Sequence, residues 1–124
     1  MPKASEHKTK AAHNRRFLDG IDRDGFPDWA AVAAFYTAVH LVERVRAASG
    51  DGHSEGHDDR LSYVANNHGE IHTAYHILQN ASMLARYQSR GDFFNQFQPE
   101  DVQQRLVDQF LAAIDAYVVT RLGD

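Results

Sequence analysis

Apolar residues recur at intervals of three and four along most of the chain and nowhere alternate with polar ones over the length of a strand. Glycine and proline interrupt the pattern at Gly20 to Pro27, Gly50 to Gly56 and Gly91 to Pro99, so the stretches between them read as helices. The clearest runs over 27–48. It opens with Pro27-Asp28-Trp29, where Asp28 is suited to cap the free N–H groups of the first turn. Its Trp29, Val32, Ala33, Phe35, Tyr36, Val39, Val42 and Val45 wrap most of the circumference, and Ala30, Ala31, Ala34 and Ala38 let neighbours approach closely. A helix so apolar all round belongs at the centre of a bundle.

The other segments are more one-sided. In 5–18 only Ala11, Ala12, Phe17 and Leu18 are apolar, which predicts packing at the end of that helix and fraying over residues 1–10. Asp58 and Asp59 open a short helix through Arg60, Leu61, Tyr63 and Val64, which Asn66-Asn67-His68-Gly69 ends or bends. Over 70–90, Ile71, Ala74, Tyr75, Leu78, Ala81, Ser82 and Ala85 form a buried stripe, and 91–98 reads as a loop holding Phe93, Phe94 and Phe97. The last helix, 99–122, has Pro99 in its first turn and Glu100 and Asp101 at the positive end of its dipole. Its predicted inward face is Val102, Leu106, Phe110, Ala113, Ile114, Tyr117 and Val118. The expected fold is all-α: an up-and-down four- to five-helix bundle in one domain over 1–124, with Trp29, Phe35, Val39, Leu78, Leu106 and Phe110 in one core.

Length and composition narrow the chemistry. A chain of 124 residues supports one core, not two. The absence of cysteine excludes disulfides, thiolate nucleophiles and sulfur-ligated zinc, so a metal would rest on His and carboxylate donors alone. No apolar run approaches the ~18 residues of a membrane span, and the first residues lack a signal peptide's apolar stretch, which together predict a cytoplasmic protein with no membrane partner. The net charge of −4 is uneven: Lys3, Lys8, Lys10, Arg15 and Arg16 against Glu6 give the first sixteen residues +4, leaving −8 for the rest. An acidic body does not coat nucleic acid through a broad basic face, so any RNA contact must be local.

Six of the eight histidines fall between His40 and His76. His53, His57 and Arg60 lie in or just after a glycine-rich loop. There an imidazole can carry a proton near neutral pH and a guanidinium can hold a phosphate by two hydrogen bonds; the plain alternative is a solvated loop. His40 sits one turn from both Tyr36 and Glu43 on the central helix, as a site or as a satisfied polar pair with Glu43. Arg86 and Tyr87 offer a cation for a phosphate and a ring for a base, or else a local pair and a core ring. His68, His72 and His76 step by four and drift only about 40° per step, forming a ridge that suits a divalent metal such as zinc or nickel or merely faces solvent. The expected ligand site is a cleft uniting His40, Arg60, Arg86 and Tyr87, with His53, His57 and Arg60 as its catalytic group if chemistry occurs; no cofactor is expected.

The run Asp28-Trp29-Ala30-Ala31-Val32-Ala33-Ala34-Phe35-Tyr36-Thr37-Ala38-Val39-His40-Leu41-Val42-Glu43, followed by His57-Asp58-Asp59-Arg60, Tyr75-His76-Ile77-Leu78, Ser82 and Ala85-Arg86-Tyr87, resembles the HEPN-like helical-bundle proteins of bacteria and archaea over about residues 10–120. The resemblance implies a bundle that pairs into a homodimer. It also implies a binding or regulatory role toward RNA or a nucleotide, in a toxin–antitoxin or defence system with a partner protein encoded nearby. Active ribonucleases of that superfamily carry Arg, four to six residues, then His near the start of the last long helix. Here that spacing occurs only as Arg46 and His53, at the exit of the second helix, where Ala47 replaces the usual polar residue; the last helix has Arg105 and Arg121 but no His. A binding module is therefore the first expectation and a metal-independent ribonuclease the second, with a His-based metal-binding bundle as the remaining alternative.

Overall fold

The computed structural model describes residues 2–124, Arg90 by its backbone alone, and these are helical with no strand among them. Helix α1 spans Ala4–Gly20, α2 Pro27–Ala48, α3 His57–Asn67, α4 His72–Tyr87 and α5 Arg90–Gln96. A final helix, α6, runs continuously over 99–122. A single 3-10 turn, Gly69–Ile71, separates α3 from α4. Among the described residues no helix is long and apolar enough to cross a membrane.

The central position expected of α2 is observed. It packs on α1, α4 and α6, and Ala30, Ala31, Ala34 and Ala38 are fully buried in its contacts. Its first turn is built differently from the expectation: Phe26 is the capping residue, Pro27 takes the first helical position, and Asp28 sits inside the first turn where its charge faces the positive dipole end. α1 runs antiparallel to α2, with His7 beside His40 and Asn14 Nδ2 donating to the Tyr36 carbonyl at 3.4 Å. The start of α1 is not the loose end that its polarity predicts. His7, Ala11 and Leu18 form a buried stripe on α2, and Lys8 bonds the Asp124 carbonyl; Met1 lies outside the described residues.

Phe35, Val39, Leu78 and Leu106 share the core as predicted, whereas Trp29 does not. Trp29 lies in the first turn of α2, 55% exposed, and Phe110 is only partly buried. The second difference has a backbone cause. Residues Val102–Leu111 are wound as a π-helix, which advances the buried face to Val102, Leu106, Val107 and Leu111 and swings Phe110 and Ala113 outward. The predicted loop after α4 is the short helix α5, capped by Ser89, whose hydroxyl accepts from the Asp92 N–H at 3.1 Å; it delivers Phe93 and Phe97 to the core.

Candidate functional site

Glu43 is a carboxylate in the apolar face of α2, and it is 2% exposed. A buried carboxylate persists only with partners. The first turn of α3 supplies one: Arg60, itself 8% exposed, donates from Nε to Glu43 Oε1 at 2.8 Å. Burial pushes the Glu43 carboxyl up, but the Ser54 hydroxyl and the Arg60 guanidinium outweigh it and hold it below its ordinary value. Arg46 steadies the loop behind them, donating to Ser54 Oγ at 3.0 Å while lying 4.4 Å over the Tyr63 ring. The Tyr75 hydroxyl is buried near Arg60 with no hydrogen bond of sound geometry, and burial pushes it up to about 12.

Arg60 also reaches His57, Nη1 to Nδ1 at 2.9 Å. An Arg has no acceptor, so His57 Nδ1 must accept and that nitrogen is unprotonated. Burial, then the charges of Arg60 and Arg86, lower the His57 pKa in agreement. On the other side of Glu43, His53 from the glycine-rich loop places Nδ1 3.6 Å from Oε2. The His7 ring lies stacked between two others, 5.6 Å from His53 and 5.3 Å from His40, with His7 Nδ1 3.0 Å from His40 Nδ1. Burial lowers the His7 pKa and brings that of His40 to about 4, so both rings are neutral at pH 7 and one donates to the other. His40 therefore pairs with His7; the pair with Glu43 that its helical spacing suggests is not formed.

Beside this cluster an open groove of about 800 Å³ runs between α1 and α2. Lys10, His13 and Arg16 line it from α1, and Trp29, Tyr36 and His40 from α2, with Phe17 at its rim. Arg86 stands next to it, donating from Nη1 to the Tyr36 hydroxyl at 2.9 Å and to the Tyr87 hydroxyl at 3.2 Å.

The structure brings His40, His53, His57 and Arg60 to one place, and Arg86 to its edge through Tyr36; Tyr87 remains exposed at the end of α4. The ridge of His68, His72 and His76 does not assemble. His68 lies in the break between α3 and α4, bonding the Tyr117 hydroxyl through Nδ1 at 2.7 Å and the Tyr63 hydroxyl through Nε2 at 3.3 Å, while His76 is exposed. Sequence reasoning missed His7 and the groove-lining Lys10, His13, Arg16 and Phe17. For His7 a signal existed, since His7, Ala11 and Leu18 step by four and seven along one helix face. The chain matches no protein-family model, no curated protein and no solved structure.

Proposed function

We propose that this chain is an RNA- or nucleotide-binding regulatory module, of the HEPN-like bundle type that serves toxin–antitoxin and defence systems, and that it binds its ligand in the α1–α2 groove. The observation that carries the reading is the lining of that groove: the permanent cations Lys10 and Arg16 beside the exposed rings of Phe17 and Trp29. Bases stack on such rings whatever their identity, and phosphates follow the cations. The cations belong to the one basic stretch of an otherwise acidic chain, which makes the contact local. The ribonuclease alternative needs Arg60 to meet a phosphate, and Arg60 is buried and bonded to Glu43 and His57.

Trp29 is the chain's single tryptophan, so its fluorescence reports the groove alone. Short single-stranded RNA should quench it saturably, and two phosphate contacts predict a log–log salt slope of about −1.4. Arg16→Ala should halve that slope and weaken binding. No quenching up to about 100 μM RNA at low salt would overturn the proposal, because even non-specific contacts are populated there. Homodimerisation enters the reading through the resemblance and the wide apolar coverage of the second and last helices, and a partner protein through the resemblance; light scattering that gives a monomer at micromolar concentration removes the first.

A further inference from the structure

Besides the Tyr75 hydroxyl, two atoms of the buried cluster lack a hydrogen bond of sound geometry: His7 Nε2, and Glu43 Oε2, which has the Ser54 hydroxyl and His53 Nδ1 nearby. Orphaned buried polar atoms are costly and rare, and two of them in one cluster need a reason. Each belongs to a group whose other polar atom is occupied, His7 Nδ1 by His40 at 3.0 Å and Glu43 Oε1 by Arg60 at 2.8 Å. Donor atoms of His7, Glu43 and His53 lie within 4.8 Å of one another. We propose that His7, Glu43 and His53 form a binding site for one first-row divalent transition-metal ion, with His40 and Arg60 orienting two of its ligands.

The supports come from three parts of the fold. His7 arrives from the start of α1, Glu43 from the centre of α2, and His53 from the loop between α2 and α3. A tetrahedral ion with bonds of about 2.1 Å sets its donors roughly 3.4 Å apart. The 3.6 Å between His53 Nδ1 and Glu43 Oε2 already meets that spacing. The other donor pairs lie within 4.8 Å, a gap that side-chain adjustment on binding has to close. The His53 side chain is 34% exposed, which gives the ion a way in.

The surroundings of the donors match those of metal ligands. Ligating histidines regularly fix their second nitrogen in a hydrogen bond, and ligating carboxylates are bonded in turn. With His7 Nδ1–H as the donor to His40 Nδ1, the tautomer the proposal requires, the His7 Nε2 lone pair is left for the ion. Two imidazoles and one carboxylate select zinc, nickel, cobalt or iron over magnesium and calcium, which require oxygen donors. Three protein donors leave a fourth position open to water or a ligand. An ion here ties α1 and the glycine-rich loop to the central helix, and it does so whether or not the groove binds RNA.

Chelator-stripped full-length protein, titrated with Zn²⁺ by calorimetry and with Co²⁺ by its visible spectrum, tests the site. The expected result is one ion per chain, a higher Tm with Zn²⁺ and none of this with Mg²⁺ or Ca²⁺. His53→Ala, at a loop position about a third exposed and with its helical circular dichroism checked, should weaken Zn²⁺ at least about 100-fold, and His40→Ala about tenfold through loss of the orienting bond. His72→Ala should bind as the unaltered chain does. Three results would each overturn the proposal: no response at millimolar Zn²⁺, full affinity retained in His53→Ala, or affinity lost in His72→Ala with the helical circular dichroism intact.

Discussion

His68, His72 and His76 fall within nine residues at a regular spacing of four, whereas His7, His40 and His53 are scattered over 47 residues; yet it is the scattered set whose rings stack on one another. In the regular set His72 and His76 are neighbours, ring centroids 5.8 Å apart, but α3 ends at Asn67 and α4 starts at His72, so His68 turns away to two tyrosines. Spacing implies proximity only while one helix continues. Chemistry is set by burial, and the scattered set surrounds a buried carboxylate while, of the regular pair, His76 is exposed and His72 only half-buried.

The sharpest way to break this contrast is to remove that carboxylate. Glu43→Leu leaves the Arg60 guanidinium buried without its partner, and breaking one side of a buried ion pair costs about 3–5 kcal/mol. Arg60→Met should cost a similar amount by leaving Glu43 alone. The double variant should recover much of the loss, since a well-packed apolar pair can replace a buried ion pair. Urea unfolding of the four proteins gives the cycle. A loss below about 1 kcal/mol for Glu43→Leu would mean that Glu43 is far more hydrated than its 2% exposure indicates, and the distinction between the two histidine sets would fall with it.

The sequence made the helices legible because alanine and branched residues recur every three or four positions, and α2 showed its central place by having no polar face. It made the end of α6 less legible: a π-helical stretch shifts the inward phase from Phe110 to Leu111, and no residue pattern read at 3.6 per turn can show that. Trp29 was misplaced because a large ring near a helix start counts as core by type, although only α1 flanks the groove it enters. For the site, His40, His53, His57 and Arg60 were legible as polar groups on or beside an apolar scaffold. The bond that joins Arg60 to Glu43 spans 17 positions, and the one that joins His7 to His40 spans 33; both depend on how helices dock, which local spacing does not encode. His7 was hidden further by sitting in the most polar helix of the chain.

A middle-sized effect is expected at His68, where the two sets differ in what burial does. Burial and then the Arg121 charge lower its pKa from 6.5, with Asp51 opposing, while Tyr63 and Tyr117 hold the neutral ring. The unfolded chain then binds a proton at His68 that the folded chain refuses, so stability rises with pH in this window. Its contribution is fully present above pH 6.5 and is lost as pH falls toward the lowered folded value. His7, His40 and His57 act with the same sign, so with chelator present His68→Gln should reduce the acid slope of Tm without abolishing it. His68→Ala should also lose about 1–2 kcal/mol at pH 8 through its broken hydrogen bonds. Nuclear magnetic resonance titration that places the His68 midpoint at or above 6.5 would refute this account.

The smallest effect is expected where the sequence pattern is most regular. His72 and His76 touch each other but no described hydrogen bond holds either ring, and His76 is exposed. Exposed substitutions away from caps and networks change stability by within about 0.5 kcal/mol. Alanine is also the better helix former by a few tenths of a kcal/mol at such positions. The two terms together predict that His72→Ala with His76→Ala is neutral or slightly stabilising. Urea midpoints measured beside those of Glu43→Leu make the comparison direct, because both changes lie on long helices that pack against each other. If the double alanine variant instead lost more than about 1 kcal/mol, the ring contact at 5.8 Å would have to contribute more than a pair with one exposed and one half-buried ring, neither held by a described hydrogen bond, is expected to. The regular set would then be a structural feature of α4 in its own right, and burial would no longer separate the two groups of histidines.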